Sequence, residues 1–298
     1  MRPIISLQKG DTIQIISTAR KISKEELQPA VDILVSWDYK VEFGKNLFAV
    51  ENQFAGNDTK RKADLQSAIN NPRVKAILCA RGGYGTVKII DEIDTEPLIK
   101  TNKLIIGFSD VTVLHAHLNQ QDISSVHATM PILFSQKGNE KAMSSLKNIF
   151  EGKRNHYKIN SHPFNKLGKV KSQIVGGNLS ILANLAGTKS QLDTKGKILF
   201  IEDLDEYLYH IDRMMMQLKR SGMLEQLSGL IIGSMSGMHD NKIPFGKGAY
   251  EIIKDIIVDY KYPVCYGFPV GHQADNRAIR CNDIANLSIL KNEVIFVN

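Results

Sequence analysis

Several segments of this sequence carry side chains that could act together in covalent chemistry. Gly107–Asp110 reads GFSD, between a buried apolar run, Lys103–Gly107, and a stretch with helical apolar spacing, Val111–Asn119. A serine on such a strand-to-helix turn lifts its hydroxyl off the sheet. The first turn of the following helix leaves N–H groups free to face whatever is attacked. A serine hydroxyl alone is a poor nucleophile. It needs a base within hydrogen-bond reach and a third group to orient that base. Leu199–Glu206, LFIEDLDE, offers a carboxylate at the exit of a strand, and Pro269–Asn276, PVGHQADN, offers a loop histidine. The expected set is Ser109 as nucleophile, His272 as base and Glu202 as orienting carboxylate. Glu202 is chosen because it lies nearest the strand, whereas Asp205 and Glu206 read as solvated loop or capping residues. Taken alone, a serine after a strand is more often a helix N-cap. The other two segments favour the nucleophile reading.

Ala80–Gly85, ARGGYG, follows another predicted strand. Its glycines permit positive φ and free backbone N–H groups to approach a ligand. Half an oxyanion hole there, completed by the amide after Ser109, is one reading, and a plain tight turn is the other. Arg81 could fork onto a carboxylate or simply face solvent. The segment lacks GxGxxG and follows the third strand rather than the first, which argues against a dinucleotide. His115 and His117 form HxH, but positions two apart on a helix do not share a face. His127 ends a predicted strand at a place where a cleft could form, and His210 sits on the helix after the acidic loop. With no HxxxH and no Cys/His cluster, neither a metal nor another cofactor is expected.

The elements that must position these groups alternate. Strands are predicted at Thr12–Ser17, Lys40–Phe43, Val74–Cys79, Lys103–Gly107 and Ser124–His127. Helices run from a Ser23 cap towards Trp37, over Asp58–Asn70, near Thr86–Ile93 and over Val111–Asn119. This pattern predicts an α/β fold with a doubly wound, mostly parallel sheet, whose sites form at the carboxyl ends of strands. A polar stretch, Glu151–Lys169, separates the halves. Beyond it come strands at Ser172–Val175, Lys197–Ile201 and Gly229–Gly233, and helices at Leu179–Leu185, Leu208–Arg220 and Ala249–Val258. Gly176–Gly177 suggest close packing between halves, and Met214–Met216 read as core filling. The expected domains are 1–160, carrying the serine, and a smaller α/β domain, 161–298, carrying Glu202 and His272.

The 298 residues, 43% hydrophobic and 23% charged, suit a soluble globular protein with ample core. Cys79, Cys265 and Cys281 lack paired spacing, which points to a reducing compartment. There is no apolar run long enough for a membrane span, and MRPIISLQKG does not read as a leader, so a cytoplasmic location is expected. The net charge of +7 is spread along the chain without a basic, aromatic-laced run, which argues against nucleic-acid binding.

The ordered motifs GDTIQI, FAGNDTKRKADLQ, CARGGYG, GFSD, GGNLSIL, FIED, IDRMMMQL and GHQADN span nearly the whole chain. Together they resemble the LD-carboxypeptidase family of serine peptidases, which includes muramoyl-tetrapeptide carboxypeptidases and microcin C self-immunity hydrolases. The resemblance implies Ser109, Glu202 and His272 as the triad and backbone amides near Gly83 and Asp110 as the oxyanion hole. It also implies an N-terminal domain like class I glutamine amidotransferases, a site across the domain interface, and a homodimer. The implied activity is release of terminal D-alanine from a murein tetrapeptide, a small peptide substrate, with Arg81 among the candidates to meet its carboxylate. The alternatives are hydrolysis of a peptide-nucleotide toxin, which would need an aromatic loop although the single Trp37 lies in an early helix, and a non-catalytic binding protein. The sequence departs from the family pattern at two places. Ser17–Arg20 reads STAR where the family has an apolar stretch ending in Ala-Pro, and Ile279–Asn282 replaces Leu-Pro-x-Gly.

Overall fold

The computed structural model describes residues 6–101 and 103–298; the opening residues 1–5, read above for a leader, lie outside it. The first half builds strands β1 (Thr12–Ile16), β2 (Lys40–Phe43), β3 (Val74–Cys79), β4 (Leu104–Gly107) and β5 (Ser125–His127). Helices α1 (Lys24–Ser36), α2 (Asp58–Asn70), α3 (Glu96–Thr101), α4 (Thr112–Asn119) and α5 (Glu140–Phe150) connect and flank them. The starts of α1 and α2 follow local chemistry. The Glu26 N–H donates to Ser23 Oγ at 3.2 Å and the Ser23 N–H to Glu26 Oε2 at 2.8 Å, a capping box. Asn57 caps α2 by accepting from the Lys60 N–H at 3.0 Å.

The second half contributes β6 (His156–Asn160), β7 (Gly168–Asn178), α6 (Leu179–Leu185), β8 (Ile198–Leu204), α7 (Leu208–Arg220), β9 (Gly229–Ser236) and α8 (Ala249–Ile256). Strands β10 (Val264–Tyr266), β11 (Ile279–Cys281), β12 (Ile284–Ile289) and β13 (Glu293–Val297) follow. Among the described residues there is a 6-stranded sheet, in order β11-β5-β4-β3-β1-β2, and a 7-stranded sheet, β10-β9-β8-β7-β12-β13-β6. The first is parallel except where β11 joins β5. The second is parallel from β7 to β10 and antiparallel from β7 to β6.

Several details differ from the sequence reading. The helix expected near Thr86–Ile93 is a pair of 3₁₀ turns, Thr86–Lys88 and Ile90–Glu92. The polar stretch after Glu151 contains β6, which pairs with β13 and so belongs to the second sheet before residue 160 is passed. That sheet has more strands than the first. Strand β11 returns to the first sheet, so the chain crosses between the halves again after His272. Helices α3 and α5 had no clear signal; α5 has a strong apolar face, with Ala142, Leu146, Ile149 and Phe150 buried.

One apolar core runs through both halves, with Val113 and Leu114 of α4 sharing a cluster with Leu179, Leu182 and Ile201. The close approach centres on Gly177, where a Cβ would fall 2.4 Å from Thr112 Oγ1, and the Asn178 N–H donates to that oxygen at 3.0 Å. Burying apolar surface in this continuous core fixes the loops of one sheet against those of the other. The three cysteines are buried and free. Among the described residues no helix is long and apolar enough to cross a membrane.

Candidate active site

Ser109 stands where the buried strand β4 ends. Its φ is +63°, in the left-handed region that costs a non-glycine residue about 1–2 kcal/mol. The surroundings hold it there. The Val111 N–H donates to the Phe108 carbonyl at 3.2 Å, and His115 Nε2–H donates to the Gly107 carbonyl at 2.9 Å. Gly107 leaves room for the turn, since a Cβ would meet Val111 at 2.9 Å and Cys79 at 3.1 Å. The Ser109 side chain forms no helix cap. Its Oγ instead faces His272 Nε2 at 3.0 Å.

His272 Nδ1 lies 2.6 Å from Glu202 Oε2. A carboxylate there accepts from Nδ1–H, which leaves Nε2 unprotonated and able to accept from the serine hydroxyl. The Glu202 side chain on β8 is fully buried. Small residues make its space: a Cβ on Gly271 would fall 2.5 Å from Glu202 Cβ, and one on Gly233 would fall 3.2 Å from it. The histidine loop is pinned on both sides. The Gly271 N–H donates to Asn276 Oδ1 at 2.8 Å, and Ser236 Oγ donates to the His272 carbonyl at 2.8 Å. Phe108 backs the imidazole, with ring centroids 4.8 Å apart. Sequence thus nominated Ser109, Glu202 and His272 from separate segments, and the fold brings them into one hydrogen-bonded chain.

The glycine turn sits against the serine. A Cβ on Gly82 would lie 2.8 Å from Ser109 Cβ and 3.0 Å from its Oγ, so Gly82 makes the closest approach and Gly83, at φ +123°, follows it. The Asp110 side chain points inward. Its Oδ2 accepts from the Thr86 N–H at 2.9 Å, tying the glycine turn to the serine turn, and burial raises its pKa. The backbone N–H of Asp110 remains next to Ser109. Arg81 is engaged by its own domain, donating to the Lys21 carbonyl at 3.2 Å and lying 3.8 Å from Glu26.

These groups open on a cleft of about 420 Å³ whose walls include Arg20, Met130, Asn178, Ser180, Asp203 and Asp205. Asp203 accepts from Asn178 Nδ2 at 2.8 Å and from the Ser180 N–H at 2.9 Å. Burial first, and the neighbouring Glu202 charge second, push its pKa up to about 7. Asp205 and Glu206, expected to be solvated or capping, also line the cleft and pair with His239 at 2.6 Å and His210 at 2.7 Å. Asn178 was not singled out from sequence, Asp203 was set beside Glu202 at the strand exit and passed over, and Arg20 entered only as the end of the Ser17–Arg20 departure. Asn178 lay in plain sight in GGN. His127 is fully buried against Phe108 and Phe200 and does not line the cleft.

His115 and His117 part company as their spacing requires: His115 meets Ser125 Oγ and the Gly107 carbonyl, and His117 meets Ser190 Oγ. Among the described residues no group of His, Cys, Asp and Glu is arranged to hold a metal ion. Burial lowers the His115 pKa to about 4. The unfolded chain therefore takes up this proton first. The neutral imidazole's full contribution is present above about pH 6.5 and is lost as pH falls towards 4, by up to about 3 kcal/mol. His115→Gln is expected to reduce the acid loss of stability, measured as Tm at intervals from pH 7 to 4.5. Comparison with wild type isolates the imidazole, because Asp203 pushes the other way: its raised pKa adds stability as pH drops below about 7. Identical Tm slopes in the two proteins would contradict the assignment.

Residues 13–128 match the family model described as the LD-carboxypeptidase N-terminal domain, and residues 171–287 match the LD-carboxypeptidase C-terminal domain. The chain is similar to a Bacillus subtilis (strain 168) protein named as a probable murein peptide carboxypeptidase. The two are 34% identical over 281 residues, spanning 92% of this chain and 88% of that one. A crystal structure of muramoyltetrapeptide carboxypeptidase from Oxalobacter formigenes superposes with a TM-score of 0.88 at 28% identity, covering 96% of this chain and 98% of that one. The microcin C7 self-immunity protein in complex with aspartyl sulfamoyl adenosine also gives 0.88, at 19% identity, over 100% and 99% of the chains; that likeness concerns the fold.

Proposed function

Because the chain belongs to the LD-carboxypeptidase family and is a serine-type carboxypeptidase, we propose that it releases terminal D-alanine from murein tetrapeptides by a Ser109–His272–Glu202 triad. The observation that carries this reading is the unbroken hydrogen-bonded chain from Ser109 Oγ through His272 to Glu202 at the base of the cleft. Ser109 Oγ attacks the carbonyl carbon of the residue before D-alanine while His272 Nε2 takes its proton. The oxyanion accepts from the N–H groups of Gly83 and Asp110. The C–N bond then breaks, His272 returns the proton to the leaving amine, and a tripeptidyl ester remains on Ser109. Water, deprotonated by His272, cleaves that ester and restores the serine. Glu202 holds the tautomer that this sequence of steps needs.

The cleft walls support a zwitterionic substrate end. Arg20 lines the cleft from the first half of the chain, and Asp205 and Glu206 from the second, suiting a terminal carboxylate and the amine of a diamino acid respectively. Trp37 packs on Phe150 and lines no part of the cleft, so it offers no stacking platform for a nucleobase. The same reading takes the first sheet as glutamine amidotransferase-like, from its parallel strands and the serine turn at their carboxyl ends. It also places the enzyme in the cytoplasm, where its three free thiols would stay reduced.

The test is stereochemical. Tetrapeptides ending in D-alanine and in L-alanine are digested side by side and read by mass spectrometry. The D-ended peptide is expected to lose alanine and the L-ended isomer to react poorly, because inverting the α-carbon drives the methyl into the space the shaped cleft gives to hydrogen. Equal cleavage of the two would remove the L-to-D assignment.

A further inference from the structure

The Ser17–Arg20 segment, where the sequence leaves the family pattern, forms part of the cleft. Its backbone is firmly placed. Ser17 Oγ donates to the Arg20 carbonyl at 2.7 Å, and Thr18 shares a hydroxyl contact with Thr86 at 2.7 Å. The buried Arg61 donates to the Thr18 carbonyl at 2.8 Å. The next residues bind the Phe54 loop, with Ala55 N–H donating to the Ala19 carbonyl at 3.1 Å and Lys21 N–H to the Gln53 carbonyl at 3.0 Å. From this base the Arg20 stem lies across Gly83. A Cβ on Gly83 would fall 2.3 Å from both Cγ and Cδ of Arg20, so the missing side chain makes the groove in which the stem rests. Arg20 thus borders the same cleft as Ser109 and His272.

Among the described residues the Arg20 guanidinium has neither a hydrogen-bond acceptor nor an ion-pair partner, while Arg81 beside it has Lys21 and Glu26. We infer that Arg20, rather than Arg81, reads the free terminal carboxylate of the peptide and so favours a free C-terminus over an amidated or extended one in this enzyme. The inference rests on the carboxypeptidase activity and on the placement of the oxyanion at Gly83 and Asp110. The terminal carboxylate carbon is three covalent bonds from the scissile carbon, about 3–4 Å away. A substrate whose carbonyl oxygen faces Gly83 N–H therefore carries its carboxylate close to whatever lies over Gly83. A guanidinium supplies a planar fork matching both carboxylate oxygens. An amidated or extended terminus would leave that fork without its anion, which penalises the wrong substrate.

The experiment measures kcat/KM on a murein tetrapeptide ending in D-alanine and on its C-terminal amide, for wild type, Arg20→Met, Arg20→Lys and Arg81→Met. Thermal melts check that each variant is folded. Wild type is expected to favour the acid by about 100-fold, the scale of a charge-assisted hydrogen bond pair. In Arg20→Met the acid loses about 10- to 100-fold, mainly through KM, the amide changes little, and the preference collapses. Arg20→Lys recovers part of it, and Arg81→Met keeps the ratio. An undiminished acid preference in Arg20→Met, a collapse in Arg81→Met instead, or no acid preference in wild type would each overturn the assignment. Wild-type enzyme silent on both peptides would be a separate failure, removing the murein reading and this assignment with it.

Discussion

Ser109→Ala is expected to lower kcat by about 10³-fold or more while the protein stays folded. The substitution removes the one protein atom that bonds to the substrate carbon in the proposed mechanism. What it removes from the folded state is small: a hydroxyl whose one hydrogen bond goes to His272, worth about 1 kcal/mol net. The strained φ of +63° is as unfavourable for alanine as for serine, so the turn neither relaxes nor worsens. Remaining turnover should come from binding and the oxyanion donors acting on water directly. Measurement of kcat beside a thermal melt separates chemistry from folding. A variant with a wild-type melt and wild-type turnover would show that Ser109 is not the nucleophile.

Glu202→Gln is expected to cost about 10⁴-fold in kcat, because the loss is one of tautomer and not of shape. The glutamine amide can present an N–H to His272 Nδ1, which then accepts. Nε2 would carry the proton, and a protonated Nε2 cannot take one from Ser109. The burial of Glu202 sharpens the effect, since no solvent reaches the position to restore the balance. A second readout belongs to the neighbour. Part of the upward push on Asp203 comes from the Glu202 charge, so Asp203 should titrate lower in the variant. The double variant Ser109→Ala/Glu202→Gln should be little slower than the slower single variant, since the members act as a unit. Multiplicative losses would argue that Glu202 acts elsewhere.

The sequence nominated the candidate site more fully than the frame around it. Serine, carboxylate and histidine announced themselves because each sits in a short segment whose neighbours are informative: a buried strand before Ser109 and Glu202, and glycine and proline around His272. The alternating strands and helices of the first half were readable for the same reason, since parallel strands buried on both faces leave continuous apolar runs such as LIIG. Strand β6 was hidden because it is a short edge strand inside a polar stretch, with only Tyr157 buried, so its alternation spans too few residues to stand out. The return of β11 to the first sheet depends on pairing across more than a hundred residues, and no local pattern encodes it. Arg20 was visible as a departure from a family pattern. Its position over Gly83 depends on which loop lies against which turn, and that is a property of the packed core rather than of residue spacing.

The most direct test of the whole account is to titrate activity against covalent occupancy of Ser109. A fluorophosphonate forms a phosphorus–oxygen bond to an activated serine with loss of fluoride, and intact mass and peptide mapping report how much of Ser109 carries it. D-alanine release from the tetrapeptide should fall in proportion to Ser109 labelling, reach the background at one label per chain, and be protected by substrate. Turnover that persists with Ser109 fully labelled, or a fully active enzyme whose Ser109 never labels, would contradict the account.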